Sequence, residues 1–130
     1  MTTKDLIEKI KAQQALSFAD VIAVIQENYD YIPSEFHNGL DENKLINEAG
    51  KNEGSCKIFA FAKLNELNQD ETLGLFGDYY REDVLKNPEG SDHQNIRNFM
   101  RYGWKGIYFK SNPLTPKAWI NPNYSEKQQN

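Results

Sequence analysis

Apolar positions recur at helical spacing through most of this chain, and each recurrence starts behind a residue suited to capping. Leu6, Ile7 and Ile10 share one face of a first helix, which Thr3 can cap. Phe18, Val21, Ile22, Ile25 and Tyr29 follow at i, i+3, i+4, i+7 and i+11 behind Ser17, with Asp20 placed almost as in a capping box. Pro33 closes that helix, because the residue before a proline avoids the helical region. Ile58-Phe59-Ala60-Phe61-Ala62 is apolar all round, and five such residues suit a buried strand or a buried helix equally. The continuation Lys63-Leu64-Asn65-Glu66-Leu67 favours a central helix from about Ser55 to Leu67. Asn68 with Glu71 opens the next, with Leu73, Phe76, Gly77, Tyr80 and Val84 on one face, up to the breaker Asn87-Pro88-Glu89-Gly90. Ser91 with Gln94 has the capping-box pattern ahead of Ile96, Phe99 and Met100, and Gly103 stops that helix.

Residues 31 to 56 break the rhythm. His37-Asn38-Gly39 reads as a turn. Asp41 can cap a short helix carrying Leu45, Ile46 and Ala49 with Gly50 at its exit, or Lys44–Asn47 forms a short strand. Lys51-Asn52-Glu53-Gly54-Ser55-Cys56-Lys57 suits a loop with special backbone angles. Ile107-Tyr108-Phe109 is the best strand. The expected fold is therefore mainly α, a compact single-domain helical fold of about five helices, with α+β as the variant if one small strand pair forms. Residues 1–112 make the domain. Residues 113–130, with Pro113, Pro116 and Pro122, read as a Pro-rich extension in which Trp119 and Ile120 dock back and Ser125–Asn130 fray.

Composition narrows the functional classes. The length of 130 residues, with 38% hydrophobic and 26% charged, is that of one globular domain. A formal net charge of −4 speaks against nucleic acid and against anionic membrane, and no apolar run reaches the ~18 residues of a membrane span. Met1–Ile7 lacks a secretory signal's apolar stretch, and Cys56 is the only cysteine, so a reducing cytoplasm is the expected location.

Several stretches in order carry a family resemblance: Pro33-x-x-Phe36-x-Asn38-Gly39, Asn47-x-Ala49-Gly50-x-Asn52-x-Gly54-Ser55-Cys56-Lys57, Phe59-x-Phe61-Ala62, Phe76-Gly77-x-Tyr79-Tyr80-Arg81, Asp92-His93-x-Asn95-Ile96-Arg97-Asn98-Phe99 and Gly103-Trp104-x-Gly106-Ile107-x-Phe109. Over about residues 17–110 the chain resembles the HopJ type III effector family. The resemblance implies bacterial origin and brings in secretion into a host as an alternative to the cytoplasm. It implies no catalytic residue. Secretion signals of that kind tend to be Ser-rich and disordered, whereas Lys4–Lys11 reads as an amphipathic helix.

Four chemistries fit the residues. Cys56 at a helix start, with Lys57 beside it and His93 as base, has the parts of a hydrolase or transferase nucleophile, with Asp92, Asn52 or Glu53 to orient the histidine. Gly54, Ser55 and Lys57 ahead of a helix offer an anion site, although the preceding glycine has the wrong spacing for a Walker loop. His37, His93 and Cys56 show no close metal-ligand spacing, so neither metal nor cofactor is expected. Asn38, Asn47, Asn52, Asn95 and Arg97 can instead form a polar network that satisfies buried loop backbone. The leading expectation is a non-enzymatic domain that binds a protein or a small anionic ligand through Asn38, Asn47, Asn52, Glu53, Gly54, Ser55, Lys57, Asp92, Asn95 and Arg97.

Overall fold

The computed structural model describes residues 1–117; Trp119, Ile120, Pro122 and the expected frayed tail lie outside the described residues. Five α-helices lie among the described residues, and the apolar segment seen in the sequence belongs to the third of them. Helix α1 (Thr3–Lys11) is capped by Thr2, one residue earlier than expected. The Thr2 hydroxyl accepts from the Asp5 N–H and the Asp5 carboxylate from the Thr2 N–H, both at 3.0 Å. Helix α2 (Phe18–Asn28) starts on Ser17 as expected, its hydroxyl accepting from the Asp20 N–H at 3.0 Å. It ends at Asn28 instead of running on to Pro33, because Tyr29 turns extended (φ −137°, ψ 150°) to begin a strand.

Two small sheets replace the single strand pair expected, and the fold is an α+β compact domain. Strand β1 (Tyr29–Tyr31) pairs antiparallel with β5 (Leu114–Pro116). Strands β2 (Phe36–Asn38), β3 (Leu45–Asn47) and β4 (Tyr108–Phe109) form an antiparallel sheet in the order β3-β2-β4, with Phe36 opposite Asn47 and Phe109. His37 and Asn38 thus belong to a strand, and the turn begins only at Gly39. Of the two readings around residue 45, the strand is correct, and Asp41–Asn43 is one 3-10 turn. Gly39 has φ +111°, and a Cβ built on Gly106 would lie 2.6 Å from the Gly39 nitrogen, so only two glycines let these backbones touch and bond at 3.1 Å. Leu114, just past the boundary expected at residue 112, is fully buried.

Helix α3 (Glu53–Leu64) runs through the centre, with Ile58, Phe59, Ala60, Phe61 and Ala62 all buried. The Phe59 ring meets Phe36, Phe76 and Phe99 at centroid distances of 6.1, 5.5 and 4.9 Å, and Phe99 stands edge-on to Trp104 at 5.1 Å. Each such buried ring contributes roughly 1.5–3 kcal/mol by leaving water. Helix α4 (Gln69–Gly74) carries the expected Asn68–Glu71 capping box but stops early. Gly77 (φ +62°) breaks it, in a place where a Cβ would lie 2.7 Å from the Phe18 nitrogen. A π turn over Tyr79–Val84 follows. Helix α5 (Gln94–Tyr102) starts on His93 rather than Ser91, and Gly103 (φ +63°) ends it as expected.

Candidate functional site

Four asparagines bring the two remaining helix starts together. The Asn38 amide donates to Asn95 O (2.8 Å) and Oδ1 (3.0 Å), and the Asn47 amide donates to Asn95 Oδ1 (3.2 Å). Asn47 Oδ1 in turn accepts from Asn95 (3.0 Å) and from Asn52 (2.7 Å). The chain of bonds joins β2 to β3 and both strands to the first turns of α3 and α5. Asn38, Asn47 and Asn95 are buried, so each amide that lost its partner would keep an unpaid desolvation cost. Asn38 Oδ1 has no partner among the described residues.

Both helices begin in the same unusual way. Asn52 (φ 53°, ψ 48°) and His93 (φ 52°, ψ 49°) occupy the N-cap positions in left-handed conformation, and neither makes a side-chain cap. For a non-glycine residue that conformation costs roughly 1–2 kcal/mol. The first helical bonds run from Cys56 N–H to Asn52 O (3.0 Å) and from Ile96 and Arg97 N–H to His93 O (3.0 and 3.1 Å). The N–H groups of Glu53, Gly54, Ser55, Gln94 and Asn95 have no acceptor among the described residues. Each start carries roughly half a positive charge from the helix dipole.

The two starts open on one cleft of about 670 Å³. Asn52, Gly54 and Ser55 line it from α3, and His93, Gln94 and Asn95 from α5. Leu45 and Ile46 form a wall on β3, and Phe18, Phe76 and Tyr79 supply an apolar floor. Tyr79 stands edge-on to Phe18 (5.1 Å) and lies against the His93 ring (5.1 Å). His93 Nε2 is 3.0 Å from Asp83 Oδ2 and 3.9 Å from Asp92 Oδ2. Tyr79 and Asp83 lie in the π turn, whose i→i+5 bond runs from Leu85 N–H to Tyr80 O at 2.9 Å, and at i and i+4 they share the face that meets His93.

The remaining residues singled out in the sequence lie elsewhere. Cys56 is 1% exposed, its sulfur 3.9 Å from Ser34 O, and it does not line the cleft. Burial pushes its thiol above the ordinary value, the reverse of what a nucleophile requires. His93 is engaged by Asp83 and not by the sulfur, so the cysteine–histidine pair is not formed. Glu53 accepts from the Tyr31 hydroxyl at 2.9 Å, and burial together with this bond raises the Tyr31 pKa. The Lys57 ammonium sits 4.7 Å from the centre of the Tyr31 ring. Arg97 clamps the preceding loop through Asp92 O (2.6 Å), Asp92 Oδ1 (2.6 Å) and Asn87 O (2.9 Å), and its bond holds the Asp92 carboxyl below the usual range. Arg97 is therefore no member of the asparagine network. His37 pairs with Glu35 at 2.8 Å on the sheet. No cluster of three metal-binding side chains exists among the described residues, and no helix among them is long and apolar enough to cross a membrane.

Sequence reasoning missed Asp83, Tyr79 and Phe18 as neighbours of the cleft. The first two meet His93 from a segment distant in sequence, a tertiary contact that helical periodicity does not register.

A family model described as HopJ type III effector protein matches residues 3–114, a longer stretch than the motifs alone suggest. The chain is also similar to a solved crystal structure of a protein of unknown function, VPA0580, with 47% identity and a TM-score of 0.83; the match covers 88% of this chain and 92% of that one. No curated protein matches.

Proposed function

The chain belongs to the HopJ type III effector protein family, and from that premise we propose that it is a non-enzymatic binding domain whose cleft takes a small acidic ligand with an apolar body. The observation that carries this reading is the convergence of two uncapped helix starts on one open cleft with an aromatic floor. Their free N–H groups suit a carboxylate or phosphate, which the dipoles favour. The rings of Phe18, Phe76 and Tyr79 suit an adjoining apolar group. Of the residues first considered, Asn47, Asn52, Gly54, Ser55 and Asn95 line the site, while Asn38 supports it from behind. The buried Cys56 thiol counts against the cysteine-dependent enzyme.

Ser55→Asp tests the reading. A carboxylate in the first turn of α3 mimics the ligand, so the variant keeps or gains stability yet loses affinity for inorganic phosphate and for acetate in titration calorimetry. Unchanged affinity in a folded Ser55→Asp variant contradicts the reading.

Location has two readings, each with its own support. Helix α1 is capped, with Leu6 and Ile10 buried, which favours a resident cytoplasmic protein. The family description favours secretion into a host cell. A translocation reporter fused to the full chain separates them: host-cell signal that depends on a type III apparatus supports secretion, and retention supports residence.

A further inference from the structure

The cleft contains a nucleophile that ligand binding does not use. A carboxylate can only accept, so the 3.0 Å contact with Asp83 Oδ2 places the ring hydrogen of His93 on Nε2 and leaves the lone pair on Nδ1. Nδ1 makes no hydrogen bond among the described residues; His93 lines the cleft, and its side chain is 28% exposed. His93 is the N-cap of α5, so the acceptor-free N–H groups of Gln94 and Asn95 follow it directly, and those of α3 face the same space.

We propose that His93 Nδ1 accepts a phosphoryl group from a donor of the phosphoramidate class, such as a phosphohistidine on another protein. The Nδ1 lone pair forms the new N–P bond. The donor's N–P bond breaks, its electron pair stays on the donor nitrogen, and that nitrogen takes a proton from water. Positive charge developing on the imidazole is offset by Asp83 across the Nε2–H bond. The transferred phosphoryl oxygens take the helix N–H groups. This proposal rests on the reading of the cleft as an anion site, because the same donors serve both.

His37 is a control within the molecule. It has the same kind of pair, Nε2 to Glu35 at 2.8 Å, and an aromatic neighbour, Tyr108, at 4.9 Å. It sits in strand β2 and does not line the cleft. The test is incubation of the full chain with potassium phosphoramidate, followed by 31P NMR and by mass spectrometry under alkaline conditions. His93 is expected to be phosphorylated at Nδ1 about tenfold faster than His37. Asp83→Asn should slow His93 by about tenfold and leave His37 unchanged. His93→Gln identifies the signal by removing it. Equal rates at the two histidines, or label on Nε2 of His93, overturn the proposal. If inorganic phosphate still binds the cleft while His93 stays unmodified, the phosphoryl acceptor is wrong and the anion site stands; if phosphate does not bind either, both fall.

Discussion

Helices α1, α2 and α4 begin under side-chain caps from Thr2, Ser17 and Asn68, whereas α3 and α5 begin on left-handed residues without any. The capped starts use local chemistry to satisfy their own N–H groups. The uncapped starts are tied to a buried asparagine network, line a cleft and leave their N–H groups without acceptors among the described residues. Three helices thus hold their stability in their first turns, and two hold it behind the first turn and keep the turn itself available. The proposed binding site rests on that separation rather than on any single residue.

The comparison breaks most readily at Asn95. Asn95→Ala leaves the Asn38 and Asn47 amides buried without their shared acceptor and should lower stability by about 2–4 kcal/mol in urea unfolding. A loss under about 1 kcal/mol would mean that the network does not hold the starts. Ser17→Ala and Asn68→Ala should each cost about 1 kcal/mol and leave phosphate affinity unchanged, since those caps serve only their own helices. Asn52→Gly relieves the left-handed strain but loses the bond to Asn47. The two effects should cancel to within about 0.5 kcal/mol, while Asn52→Ala, with the bond lost and the strain kept, should be less stable by about 1 kcal/mol.

The smallest effect is a pH dependence confined to a capped start. Glu71 lies in the capping box of α4, and hydrogen bonds from Lys11 and from the backbone lower its pKa below the ordinary value. The folded protein therefore holds this proton less readily than the unfolded chain does. The stabilisation is complete above the usual glutamate range and is lost as pH falls through the depressed folded value. Wild type should lose stability faster than Glu71→Gln as pH drops below ~4.3 in a thermal-unfolding series.

The sequence shows the helices well and several residues of the candidate cleft. Ser17, Asn68 and the apolar run 58–62 declare themselves because local chemistry or period alone decides them. Ile107–Phe109 and the strand reading of Lys44–Asn47 anticipate β4 and β3, whereas β1, β2 and β5 stay hidden because three residues are too few for alternation to register. Asn47, Asn52, Gly54, Ser55, His93 and Asn95 stand out as a polar cluster that a core argument does not need. The bulky or charged residues singled out with them point elsewhere. Lys57, Glu53 and Arg97 find partners across turns and strands, and Cys56 lies far enough into α3 to face the core. Placing each of these requires the path of the backbone between residues 29 and 52, which a short strand and a left-handed asparagine decide.

The most direct test is an amide NMR titration of the full chain with inorganic phosphate. The N–H signals of Glu53, Gly54, Ser55, Gln94 and Asn95 should move together on one binding curve, while the capped N–H groups of Asp5, Asp20 and Glu71 stay where they are. Equal movement in both sets, or none in the first, would contradict a binding site built from uncapped helix starts.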